Sequence, residues 1–219
     1  ESQAQVVVEE GWGLGIILAL GALTFANLAG QSTRFLLNFL YMEKQAGNPH
    51  GPASDPSINI ALELGITPTQ FGLLSGPFLL MVAVVTSVIL GSVADDPNVG
   101  PRIVVVGGML VQGVSMCGQG LVTDIVGLFL VRFLFAAGQG AVTAPALAVI
   151  LQIVPEVQRP TANSIFGTGV YLGSGLAATG GILALHFGWR ITSAIFGGMC
   201  VCAAGCVYFG VTLPASKHL

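Results

Sequence analysis

Long apolar runs alternate with short polar joints along this chain. Six runs can be bounded, at about 12–41, 68–90, 103–122, 125–153, 161–185 and 191–213. Each has the ~20 residues that a helix needs to cross ~30 Å of hydrocarbon. The runs are continuously apolar. Strands of a membrane barrel would instead alternate over ~10 residues. The joints carry turn signals. After the first run, "EKQAGNPHGPASD" is rich in Gly, Pro and Asn and reads as a solvated loop. "SINIALELGI" follows it and reads as a short amphipathic helix, so 43–67 is loop plus helix. "GSVADDPNVGPR" is expected to be the loop between the second and third runs. Thr123 and Asp124 form a tight hairpin, "VPEVQRP" joins runs four and five, and "HFGWR" joins five and six. Segments 1–11 and 214–219 are polar tails. An even number of crossings puts both ends of the chain on one side. Arg102, Arg159 and Lys217 fall on that side, against Lys44 and Arg190 opposite. The excess places the termini on the cytoplasmic, or stromal-type, face.

Composition turns this pattern into a solvent assignment. Hydrophobic residues make up 53% of the 219 and charged residues 8%, against about 25% charged in soluble domains. The expected fold class is an all-α integral membrane protein, with lipid as the partner of most of its surface. A net charge of −3 without basic patches excludes nucleic acid. The first residue is Glu, so the chain is expected to be processed or a piece, and its start lacks the positive stretch of a cleavable signal. Cys117, Cys200, Cys202 and Cys206 lie within apolar runs with no histidine or carboxylate beside them, so they read as packing residues. No metal or cofactor is expected. "GTGVYLGSGLAATGG" spaces small residues so that helices can close on one another, and Gly169, Gly173 and Gly180 form the expected packing face.

Polar residues inside the runs are the candidate chemistry. Asn27, Gln31, Arg34 and Asn38 make one stripe on the first helix. A charge within a span costs several kcal/mol unless it meets a polar interior. Arg34 therefore either lines a water-filled path or snorkels to the interface. Arg132 in the fourth run has the same two readings, and Gln139 lies two turns further on the same face. "NLAGQST" in run one and "AAGQGAVT" in run four echo each other, as three helices repeated once would leave behind. His50, His186 and His218 are outside the runs or at their ends, and no Ser-His-Asp or HExxH arrangement occurs, so an enzyme is not expected. No carboxylate lies deep in a run, which argues for a uniporter, an exchanger or no transport over ion coupling.

These features together resemble the major facilitator superfamily, in its spinster-like and organic-anion branches. That family carries G-x-x-x-D-[RK]-x-G-[RK]-[RK] between spans two and three; Gly91 and Asp95 match it in "GSVAD". "ELGITPTQFGLLSGPFLLMVAVV", "VRFLFAAGQGA", "QRPTANSIFGTGVYLGSGLAATGG" and "FGWRITSAIFG" are similar to the second, fourth, fifth and sixth spans. The resemblance implies the N-terminal six-helix half of a transporter, a 3+3 pseudo-repeat. It implies that Asp95 gates, with Gly91 permitting close helix approach and Arg102 and Arg159 as neighbouring ion-pair partners. The candidates to meet the solute are Asn27, Gln31, Arg34, Asn38, Arg132 and Gln139. Two departures stand out: Asp96 replaces the expected basic residue, and "PNVGPR" replaces the Gly and basic pair. Family members usually have twelve spans. The leading expectation is thus a secondary transporter, or its N-terminal half, moving a small, anionic organic solute by alternating access, with a second six-helix half from the same or another chain. The alternative is a non-transporting accessory subunit of a large organellar complex, photosynthetic or respiratory.

Overall fold

The computed structural model describes residues 12–42, 54–96 and 99–211, which are helical with no strand among them. The helices are α1 (Leu14–Leu40), α2 (Ile60–Leu64), α3 (Pro68–Ser75), α4 (Pro77–Ala94), α5 (Gly100–Gln119), α6 (Ile125–Gly140) and α7 (Thr143–Ile153). A 3-10 turn at Glu156–Gln158 then leads into the run Arg159–Gly210. Among the described residues, five stretches are long and apolar enough to cross a membrane; the last, Glu156–Gly210, has 55 residues. At 1.5 Å per residue that is about 80 Å, far more than one crossing needs.

Gly188 resolves the excess. Its φ of 78° and ψ of 161° interrupt the run, dividing it into α8 (159–187) and α9 (189–210). The direction then reverses. Gly169 of α8 faces Thr24 of α1 and Gly173 faces Leu28, so both numbers rise together. On α9, Cys200 meets Thr33, while Gly210, further along, faces Ala22. The described residues therefore make six crossings, with α3–α4 and α6–α7 as broken second and fourth crossings. Only Gly188 leaves helical geometry in the expected "HFGWR" joint. Its backbone is followed at once by a bond from Trp189 N–H to Ser57 O at 3.0 Å, so no longer loop is needed.

The helix ends follow from their residues. Thr67 and Gln70 form a reciprocal capping box with Pro68 behind it. Asp124 accepts from Gly127 N–H at 2.6 Å, which ends the tight hairpin. The amphipathic segment after the first loop is helical only over Ile60–Leu64; Gly65 stops it at φ 64°. The second crossing runs on past Leu90, and Gly91 to Ala94 are helix, not loop. Nothing in "GSVA" breaks a helix; the stop comes at Asp95 and Asp96, ahead of Pro97.

Small residues set the helix spacing. A Cβ on Gly113 would lie 2.9 Å from Gly197 O, and one on Gly197 2.7 Å from Gly113 O. Gly108 and Gly138 are related in the same way, at 2.8 and 2.7 Å. Thus α5 touches α6 and α9 backbone to backbone, as helices in lipid do when van der Waals contact drives association.

At the end of the bundle away from the chain termini, a charged clamp ties the α8–α9 turn to α2. Trp189 Nε1 donates to Glu63 at 2.6 Å and Arg190 pairs with the same carboxylate at 2.7 Å. Arg190 also donates to Gly120 O at 2.8 Å, the end of α5. Asn59 bonds both the N–H and the C=O of Met42. Ser57 donates its hydroxyl and N–H to Asp55, holding that carboxyl below its ordinary value. At Gly188 a Cβ would meet Ser57 O at 2.9 Å, on top of the left-handed strain. Gly188→Ala is expected to destabilise by about 1–2 kcal/mol and to lower the detergent melting temperature; an unchanged temperature would show that the turn does not depend on this residue.

Candidate functional site

A cavity of about 400 Å³ opens between α1, α4 and the α6–α7 crossing. Gln31 and Arg34 reach it from α1, Ser87 from α4, and Gln139 and Thr143 from α6 and α7; Leu79, Val84 and Leu147 make apolar wall. Gln139 lies midway along Ile125–Ile153, so the cavity is at mid-depth. Arg34 is half-buried and stands 5.5 Å from the Phe35 ring. Gln31 is buried and its Oε1 has no hydrogen-bond partner among the described residues. The cavity therefore offers a cation, amides and hydroxyls against aliphatic surface. That combination suits a small polar molecule with an acidic group.

The sequence echo meets here. Gly30 and Gly138 both face Gln112 of α5; a Cβ on either would lie 3.0 Å from its side chain. The next residues, Gln31 and Gln139, both enter the cavity. Two copies of a Gly-Gln step thus approach one buried amide from opposite crossings.

Not every stripe residue joins them. Asn27 is buried and donates to Phe166 O at 2.8 Å, holding α1 to α8. Asn38 is exposed, further along α1 than the cavity. Arg132 lines no part of the cavity and does not snorkel: it is wholly buried, 5.5 Å from the Phe135 ring. Its Nε, Nη1 and Nη2 have no hydrogen-bond partner among the described residues. Gly118 lies against Val131 and Gln112 against Gly138, so Arg132 is level with the Ser115–Gln119 stretch of α5. Gly169 and Gly173 press on α1 backbone and Gly180 on Leu36.

At the face carrying the chain termini, the expected charge network is arranged differently. Gly91 has open space where a Cβ would sit, so it permits no close helix contact; its carbonyl accepts from Asp95 N–H at 3.2 Å, at the end of α4. Asp95 is exposed and forms no ion pair among the described residues. Arg102 instead donates to Tyr208 O at the end of α9. Arg159 donates to Leu151 O at 3.0 Å and Val154 O at 3.3 Å, closing α7, with Glu156 3.8 Å away. Both arginines thus sit on the negative ends of helix dipoles. Sequence reading missed this capping, as it missed Glu63, Trp189 and Arg190. Gln112 was findable: it is one of two amides, with Gln119, within an apolar run, the same signal that marked Gln31.

Residues 20–219 match the Major Facilitator Superfamily. The chain belongs to that superfamily. A bacterial homolog of the human lysosomal transporter Spinster, inward-facing and occupied, aligns with 95% of this chain and 47% of its own, at TM-score 0.73 and 19% identity. The inward-facing, unoccupied form aligns with 94% and 45%, at TM-score 0.76. At that identity the likeness establishes the fold, a six-helix half of the superfamily's architecture. A protein named hexuronate transporter, from Bacillus subtilis (strain 168), is 26% identical over 131 residues, which are 59% of this chain and 30% of that protein. The chain spans under half the length of each of these relatives. This superfamily is one of transporters, not enzymes, and its members are multi-pass membrane proteins that move small solutes. Nothing in these comparisons points to the accessory-subunit reading.

Proposed function

We propose that this half contributes the wall of an alternating-access path for a small organic anion, with a second six-helix half facing it. One observation carries the reading: Arg34 opens into a mid-depth cavity between Gln31 and Gln139. A carboxylate is the natural partner of that guanidinium, and the amides suit hydroxyls on a polar solute. A hexuronate has both, and one relative bears that name. Arg132 belongs to the same reading as charge held back: it lies about two turns from Gln139 on one helix face. A buried guanidinium without a partner costs several kcal/mol, so rearrangement that opens the path toward it gains by giving it an anion. Asp95, exposed and without an ion pair among the described residues, is the proposed gate group, meeting the second half and not Arg102 or Arg159. The termini are proposed to face the cytoplasmic side.

The test is equilibrium binding of galacturonate to the purified chain, followed by uptake into vesicles with the second half supplied. Saturable binding that weakens with rising salt supports the reading. If neither galacturonate nor other small carboxylates bind, with the chain folded by circular dichroism, the cavity is not an anion site. Asp95→Asn is expected to leave binding intact while changing uptake; equal loss of both would remove the gating role.

A further inference from the structure

Gln112 stands where three crossings meet. It comes from α5 and is wholly buried. Its Cγ lies against Gly138 of α6 and its Oε1 against Gly30 of α1; a Cβ on either glycine would be 3.0 Å away. The two sides differ in kind. On one, α5 and α6 touch backbone to backbone, since a Cβ on Gly108 would lie 2.8 Å from Gly138 O. On the other, the three atoms nearest the Cβ position of Gly30 all belong to the Gln112 side chain. The length of this one side chain therefore sets how far α1 stands from the α5–α6 pair at this level.

Hydrogen bonding does not account for the amide. Its Nε2 donates to the Met109 sulfur at 3.9 Å, and its Oε1 has no hydrogen-bond partner among the described residues. A buried acceptor left unmet is unfavourable, so what the site gains is reach. Oε1 meets the Gly30 Cα instead, a weak contact of the kind that recurs between close helices. The residues after the two glycines, Gln31 and Gln139, line the solute cavity from the two crossings so held. Both amides can meet hydroxyls of a rigid ring only at one separation. Arg34, on a long stem with many rotamers, tolerates a shift.

We propose that Gln112 is a positioning residue for solute selection: from outside the cavity lining, it holds Gln31 and Gln139 at the spacing that a polyhydroxy acid ring requires. The inference rests on the reading of that cavity as an anion site. It is tested by titrating the purified chain with galacturonate and with cyclohexanecarboxylate, which has a six-membered ring and a carboxylate but no hydroxyls. The ratio of the two affinities is the readout. Gln112→Ala should weaken galacturonate about tenfold, the loss of about one hydrogen bond, and leave cyclohexanecarboxylate unchanged. General loosening of the bundle would weaken both alike. Gln112→Met, equal in length, should restore most of the ratio. Gln112→Asn, one methylene shorter, should fall between Gln112→Ala and the wild type, and is measured in its place if Gln112→Ala does not fold. Gly21→Ala, with open space where its Cβ would sit, is the control on α1. The proposal is overturned if the ratio survives shortening in a folded chain, if both acids weaken equally, or if Gln112→Met behaves as Gln112→Ala. In those cases the wild type still binds and the anion reading stands. If the wild type binds neither acid, that reading fails and takes this one with it.

Discussion

Gly173→Ala is expected to destabilise the bundle by about 1–3 kcal/mol, whereas Gly175→Ala, two residues on, is neutral or stabilising. The two glycines share one helix, Gly173 buried against α1 and Gly175 exposed, so the contrast isolates packing. A Cβ on Gly173 would lie 2.6 Å from Leu28 O and 2.9 Å from the Gln31 Cβ. Those are backbone and near-backbone atoms, which cannot swing aside, so α8 must shift off α1. Gly175 has nothing within 4 Å, and alanine there is favoured over glycine by roughly 0.5–1 kcal/mol through helix propensity. Because the shifted contact is with Gln31, solute binding should weaken alongside stability in Gly173→Ala. Melting temperatures of both variants in one detergent decide the matter. Equal values would mean that the α1–α8 contact is looser than described.

Arg34→Gln should reduce affinity for galacturonate about 10- to 100-fold, the worth of a charged hydrogen bond at ~1.5–3 kcal/mol. The substitution leaves the cavity its amides but takes away its formal charge. Arg34→Lys should retain part of the affinity, since a point charge replaces a two-pronged donor. Asn38→Ala, on the same stripe but outside the cavity, should change nothing. Isothermal titration of the four proteins separates the outcomes. If Arg34→Gln binds as tightly as the wild type, recognition does not run through this side chain and the anion reading fails. Loss in Asn38→Ala as well would point to a disturbed helix in place of a specific contact.

The sequence made the solvent and the membrane crossings legible because hydrophobicity in lipid is a strong, additive signal. It located the Gln31–Arg34 pair for a related reason: polar atoms within an apolar run have few places to go. It was less informative wherever the outcome depended on which helices become neighbours. The period of the stripe put Asn27, Arg34 and Asn38 on one face, yet α8 covers Asn27, the cavity takes Arg34, and Asn38 is exposed. Arg102 and Arg159 looked like partners for Asp95 because all three share a membrane face. Two unpaired carbonyl ends, on α9 and α7, engage them instead. The Glu63 clamp joins residues more than a hundred positions apart, and no local pattern encodes such a pairing.

Gln112 carries a consequence for how this protein can change over evolutionary time. Its one side chain is the surface against which both Gly30 and Gly138 rest. A bulkier or shorter replacement would disturb both contacts at once, so neither side can drift without the other following. Two Gly-Gln steps on different crossings are therefore tied to a single buried amide, and compensating changes are expected to arise as triplets at 30, 112 and 138.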